Sequence, residues 1–579
     1  MDLDTEKRVF IAFVLMFGVF LLWRAFLWHP PPPPPSEHSK AQTQTTATVH
    51  VRPHHAPAPI QKAPPSVKLP VVQGSKAEDI SIQNNDYRVT FSTQGAVIKS
   101  WILRKYTDAK NRPLDVVNQS ACQQLGYPLS LEMADSSLAA KLNSAIYSVQ
   151  PSGTNLTAPQ EVTFTYSNGK DRVRKEFSFG KGYAIQVKVS VFDGQHDVPV
   201  AVEWPGGVGD QSLSVSSRRK HSLAFYNQED GIKTVAGKKV NESRMIPGPL
   251  TSAGLEDLYF AGVFFPGSPQ DAFHFRRESW MPAGAKDHKP IEALTAVLAT
   301  PEAGPLSFRL FIAPKVVDVL KAESPGLENL VDFGVFSVLA KPTFLGMRWI
   351  YDHTVQNWGW AIIILTILIN MAFFPLKLKS IRSAQAMQKV APIVKEIQGR
   401  YKQYKFNDPR KARMNQEVMK VYQENGVNPL GGCLPMLVQL PIIYAFYEVL
   451  EASIAMRHAP WIWWIKDLSV PDPLYILPSL AIVLSFIMQK MTPMPSVDPA
   501  QQRMMMIAPL FVGFIFFYEA AGLTLYYFVY CLVAVGQQLL INRIAPPQRP
   551  STPAASAAPA AASGRAPAPG RRKTVTVKG

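Results

Sequence analysis

The stretch that decides the fold reads WAIIILTILINMAFFPLKLKS, residues 360–380. From 360 to 374 it is apolar enough to sit in a bilayer, and Lys377, Lys379 and Arg382 follow at once. Asn370 lies inside the apolar run, where an amide costs free energy unless it finds a hydrogen-bond partner. The run therefore predicts a membrane span with one polar face.

Working outward, the chain has 579 residues, 47% of them hydrophobic, and a net charge of +17. That length suits two or three domains. The charge is concentrated: 376–429 holds twelve Lys and Arg against four acids, and 543–579 holds seven bases and no acid. Cys122, Cys433 and Cys531 have neither disulfide nor metal spacing. His196, His221, His274 and His288 form no triad or ligand set, and HExxH, Walker and GxSxG motifs are absent from the sequence. No catalytic residue, metal or cofactor is expected, and the chain does not read as an enzyme.

Six segments have the apolar character of spans: 9–28, 358–376, 433–450, 474–491, 504–518 and 522–541. The first follows Lys7 and Arg8 and lacks a small-residue cleavage site, so it reads as an uncleaved signal anchor; a cleaved signal peptide is the competing reading. Basic loops stay in the cytoplasm. This rule puts 376–429, the tail and both termini inside, and residues 29–357 outside. The loop 452–473, with APWIWWIKDL, then suits the outer interface.

The predicted plan has eight parts. An anchor (1–28) and a Pro-rich disordered linker (29–76) precede an all-β sandwich (77–325), read from period-two runs such as YRVTF (87–91), EVTFTY (161–166) and YAIQVKVSVF (183–192). The histidines of HVRPHH in the linker could hold a stray metal, but disorder is the plainer reading. Residues 326–357 predict an amphipathic helix on the outer membrane face, or else a linker helix buried on the sandwich. Span 358–376 leads into a basic cytoplasmic hairpin (377–429), whose first helix is read from Val390, Ile393, Ile397 and Tyr401 and its second from Met414, Val418 and Val421. The remaining spans fill 430–545, and a basic disordered tail (546–579) closes the chain.

The hairpin's Lys389, Lys395, Arg400, Lys402, Arg410 and Lys411 suit anionic lipid or ribosomal RNA, although inside-positive topology alone would also place them there. Several spans carry amides in their cytoplasmic halves. Asn370 and Gln439 each lie roughly 9 Å from the inner end of their span, and Gln489, Gln537 and Gln538 lie nearer still. Isolated amides stitch helices together; several at one level suggest a shared wet cavity open to the cytoplasm. Its expected wall is Thr366, Asn370, Gln439, Gln489, Tyr526, Tyr527 and Gln537.

At NPLGGCLPMLVQLPIIYAFY (428–447) the sequence resembles the YidC/Oxa/Alb family of membrane-protein insertases, in its Gram-negative form with a large periplasmic domain. Further matching stretches are KPTFLGMRWIYDHTVQNWGWAIIILT (341–366), RHAPWIWWIKDLSVPDPLYILP (457–478), MTPMPSVDPAQQRMMMIAPL (491–510) and GLTLYYFVY (522–530). The resemblance implies a five-helix core with a hydrophilic groove, a mutarotase-like sandwich outside, and insertase and chaperone activity alone or beside the Sec translocon. Implied partners are nascent membrane proteins, Sec components, the ribosome and the bilayer. It also implies an arginine in the groove where this chain has Asn370, and an aromatic-Pro-small-Gly turn where it has Glu519-Ala520-Ala521-Gly522. A transporter or flippase with a ligand-binding periplasmic domain is the alternative; it needs polar groups through both leaflets, which the sequence lacks. A sugar-processing ectoenzyme would leave the hairpin and amides unexplained.

Overall fold

The computed structural model describes residues 68–212, 223–228, 231–240, 243–281, 290–334, 336–404, 408–427, 434–491, 507 and 510–544. The anchor 9–28, nearly all of the linker, the tail beyond 544 and part of the fifth expected span lie outside these residues.

Alternation builds the β domain. In Arg172–Phe179 and Ala184–Phe192, Val173, Phe177, Ile185, Val187, Val189 and Val191 are all buried, because successive strand side chains point to opposite faces. The two strands pair antiparallel with Phe177 opposite Val187. They lie in a ten-stranded sheet flanked by two five-stranded sheets among the described residues. Phe91, on one small sheet, packs on Phe164 and Phe177 of the large one at ring distances of 5.6 and 4.6 Å. Phe273, on the other, meets Phe264 at 5.9 Å. The aromatic layer between sheets is the domain's core.

Lys175 breaks the apolar pattern. Fully buried, it donates from Nζ to the carbonyls of Gly95, Ala96 and Leu129 at 2.8, 3.2 and 2.8 Å. Burial pushes its amine down to about 7.

Short helices α1 (Gln119–Leu125), α2 (Ser136–Ser144) and α3 (Val317–Glu323) decorate the sheets. Helix α4 (Ser337–His353) follows, burying Ala340, Phe344, Met347 and Ile350 at helical spacing while Val338, Leu345 and Trp349 stay exposed. Its buried face packs on α5 (Trp358–Arg400) and α7 (Leu434–Ala452), so it belongs with the helices.

Helix α5 departs from the expected boundary at 376. It runs without a break past Pro375 and Pro392, joining the span to the first half of the hairpin. Proline removes one backbone bond and bends a helix, and the flanking turns carry the rest of the ladder across. The inward stripe also differs: Val394 is buried, with Met387, Val390 and Ile397, while Ile393 is 46% exposed. The phase set by Ile381 and Ala384 upstream, both buried, carries Val394 inward. Helix α6 (Pro409–Glu424) returns, started by Asp408, whose carboxylate accepts the Arg410 N–H at 2.9 Å.

Helix α8 (Ile476–Met491) is held at its start by Asp472, which accepts from the N–H groups of Leu474 and Leu477 and from the Trp464 indole. Helix α9 (Ala521–Ile544) opens with the Ala521 and Gly522 N–H groups donating to Val470 and Leu468. Among the described residues two helices, α5 and α9, are long and apolar enough to cross a membrane, and α8 is a shorter apolar helix.

Candidate functional site

Helices α5, α7 and α9 bring several polar groups of their apolar stretches together. Thr366, Asn370 and Lys377 lie four and seven residues apart, on one face of α5. Tyr526, Tyr530 and Gln537 repeat that spacing on α9. Where the faces meet, the Gln537 amide is a two-way bridge: Nε2 donates to the Asn370 carbonyl at 3.1 Å, and Oε1 accepts from Lys377 Nζ at 3.0 Å. The Asn370 side chain turns onto its own helix and donates to the Thr366 carbonyl at 2.8 Å.

A second link joins α7 to α9. Gln439 Nε2 donates to the Tyr526 hydroxyl at 2.6 Å, and the Tyr526 ring stacks on Phe446 with centroids 4.0 Å apart. Asn370, Lys377, Gln439, Tyr526 and Gln537 thus each have a hydrogen-bond partner, as a low-dielectric setting demands.

The expected wall divides in two. Asn370, Gln439, Gln489 and Gln537 are half-buried and partly open. Thr366, Tyr526 and Tyr527 are instead packed inside the helices: the Thr366 hydroxyl donates to the Ile362 carbonyl at 2.6 Å, and Tyr527 stacks on Phe516. A threonine in a helix satisfies its hydroxyl on the preceding turn, and a tyrosine ring buries most of its area. Asn370 and Gln439 share no bond; each is tied to α9 independently, Asn370 through its backbone carbonyl. Gln538 is buried and donates to Asn542.

On the hairpin, Lys389, Lys395, Arg400, Lys402 and Arg410 are exposed and Lys411 is half-buried. Arg410 pairs with Asp408 at 2.9 Å and lies over the Tyr404 ring; Arg400 is 3.6 Å from Glu417. Tyr401 donates to Glu417 at 2.6 Å, a bond that raises the phenol above its ordinary value.

Residues 349–548 match the family described as 60Kd inner membrane protein, and residues 79–345 the YidC periplasmic domain. The membrane protein insertase YidC of Syntrophus aciditrophicus is 31% identical over 561 residues, covering 93% of this chain and 100% of its own length. That of Geotalea daltonii is 33% identical over 564 residues, covering 93% and 100%. The chain belongs to the YidC membrane protein insertase family. A solved structure titled as an active YidC insertase with its first transmembrane domain resolved is similar at 19% identity and a TM-score of 0.33, covering 81% of this chain and 94% of its own. The YidC periplasmic domain matches the sheets, and the inner-membrane part matches the helices from the end of α4 onward.

Sequence reasoning missed two features of this YidC family member. Lys377 reads in the sequence as a topology marker, yet it enters the amide bridge. Arg457, in the loop after α7, pairs with Asp210 of the β domain, both side chains being almost fully buried. Neither partner is close in sequence, so no local pattern announces the contact.

Proposed function

We propose that the chain is a membrane protein insertase and folding chaperone. It takes hydrophobic segments of nascent or newly made proteins from the cytoplasm through a hydrophilic groove. It then releases them laterally into the inner membrane, alone or with the Sec translocon. The observation that carries this reading is the polar chain through Asn370, Gln537 and Lys377, which joins two helices that each hold a long apolar stretch. A wet groove reaching part-way shortens the hydrocarbon that a client's polar tail must cross, and burial of the client's apolar helix in lipid drives release. No nucleotide enters this scheme.

In this reading six spans place both termini in the cytoplasm and the sandwich in the periplasm. Asn370, Gln439, Gln489 and Gln537 wall the groove, with Thr366, Tyr526 and Tyr527 packed behind them. The exposed bases of the hairpin meet lipid headgroups or the ribosome. A transporter would need a matching polar path through the outer leaflet, and family membership argues against it.

The test is replacement of the resident insertase in a depleted strain, with photo-crosslinking probes at 370 and 439 and a stalled single-span client. Growth with crosslinks from both positions is expected. Growth failure despite normal membrane levels overturns the reading.

A further inference from the structure

We propose that Arg276 and the three glutamates around it form a proton-dependent clasp on the five-stranded sheet that carries Phe273. The clasp is closed while the cluster holds one proton and loosens when it loses it, whatever the chain does in the membrane. The sheet runs in the order 243–246, 272–280, 291–299, 201–204, 130–132. Glu203 lies opposite Ser130 and Val297, and Arg276 opposite Thr295. Alternate residues share a face, so Glu132, Glu203, Thr295, Arg276 and Glu278 stand on one side. Val202, Phe275 and Leu298 are buried on the other.

Across the first face one guanidinium meets three carboxylates. Arg276 donates from Nη1 to Glu132 and from Nη2 to Glu203, each at 2.7 Å, and its Nε lies 3.6 Å from Glu278. Thr295, fully buried, donates its hydroxyl to Glu278. Among the described residues Arg276 is the one cation within ion-pair distance of these acids. Glu132 keeps 43% of its side-chain surface and Glu203 only 14%, so charge on Glu203 is the harder to solvate. The turn after α1 crosses Glu203: a Cβ on Gly126 would stand 3.6 Å from its Oε1. From α1 itself Cys122 faces it, as a thiol that burial keeps protonated. Burial raises the Glu203 carboxyl, Arg276 lowers it, and Glu132 and Glu278 raise it again, leaving it at about 7.

The strand free to move is Ser130–Glu132. It is three residues long, pairs with 201–204 on one side and is clipped on the other by Asn143 of α2, which exchanges two bonds with Leu131 at 2.8 and 2.9 Å. Lifting it carries Glu132 off Arg276 and opens Glu203 to water, where its carboxyl returns to the ordinary 4.5. Between 4.5 and about 7 the closed sheet therefore holds more protons than the opened one, and opening becomes easier as pH rises through that window. The domain matches the YidC periplasmic domain, so the proton would be exchanged with that compartment.

Amide hydrogen exchange on the full-length protein in detergent, corrected for the intrinsic effect of pH, reads the opening of 130–132. Protection there should fall about fiftyfold between about pH 5 and 8. Glu203→Gln keeps an acceptor for Arg276 and has no proton to lose, so it should stay protected with a flat profile. Glu132→Gln removes one of the repelling acids and should move the midpoint to lower pH. Glu292→Gln, at an exposed pair with Arg277, should leave the profile alone.

Flat protection in the wild type, or a Glu203→Gln profile that still falls, overturns the assignment. So does an equal loss in the ten-stranded sheet with the same midpoint, which would mean unfolding of the whole domain. The wild-type profile and that of Glu132→Gln carry the test if Glu203→Gln fails to fold.

Discussion

The guanidinium of Arg457 is buried against the carboxylate of Asp210, 247 residues earlier in the chain. Arg457 also lies over the Tyr259 ring at 5.3 Å. The pair locks the β domain to the loop that leads from α7 toward α8. Removing one partner of a buried ion pair costs about 3–5 kcal/mol, because the other charge stays buried alone. Arg457→Ala should therefore speed hydrogen exchange around 205–212 and 453–460, and adding Asp210→Ala should recover much of the loss. Equal exchange in wild type and Arg457→Ala would show that the pair does not hold the domain.

Lys175 supplies a second prediction. Lys175→Met leaves three buried carbonyls without their donor, at a cost of about 3 kcal/mol, and should raise exchange in the strand Arg172–Phe179. The pH dependence has a definite sign. The folded-state value is pushed below the ordinary 10.5 to about 7, so between these values the unfolded chain holds more protons than the folded one. Stability from this group then rises as pH rises through that window. Lys175→Met should abolish that slope; an identical slope in both proteins would refute the assignment.

Gln537 and Asn370 differ in what their loss should do. The Asn370 side chain bonds only its own helix, whereas Gln537 joins α9 to α5 twice. Gln537→Leu should reduce client insertion more than Asn370→Leu, while an interhelical bond of this kind contributes about 0.6 kcal/mol to folding. Complementation with both variants at matched expression decides the order. A stronger defect in Asn370→Leu would mean that its side chain acts on the client directly.

Gly359 faces the Trp461 indole so closely that a Cβ there would overlap the ring. Asn357, two residues earlier, donates to the Pro460 and Trp461 carbonyls at 3.1 Å. Gly359→Leu should displace the loop around Trp461 and destabilise it by about 1–3 kcal/mol, the usual cost of overpacking. Trypsin cleavage after Arg457 or Lys466 reads the displacement; an unchanged pattern would place the glycine outside the contact.

Local physics made part of this legible. The strands at 87–92, 160–168 and 184–192 follow from period-two alternation, and the start of α6 follows from Asp408-Pro409. The amides of α5, α7 and α9 were visible as polar residues in apolar runs. Their partners were not: Gln439 and Tyr526 lie 87 residues apart, and Lys377 and Gln537 lie 160 apart. Periodicity reports which face of a helix is buried, not which helix covers it. It also misjudged Ile393 against Val394, because two adjacent apolar residues leave the phase of a short stripe open. The span boundary at 376 marked where the apolar run stops, and the helix itself continues past it.

That continuity makes α5 a lever. Its 43 residues extend roughly 65 Å at the usual rise, with Asn370 on one side of Pro375 and Lys377 on the other. The proline is the pivot, since its ring leaves the turn before it one bond short. Gln537 bonds on both sides of that joint, to the Asn370 carbonyl before it and to Lys377 after it. A change of bend at Pro375 would therefore reach both bonds of that amide at once.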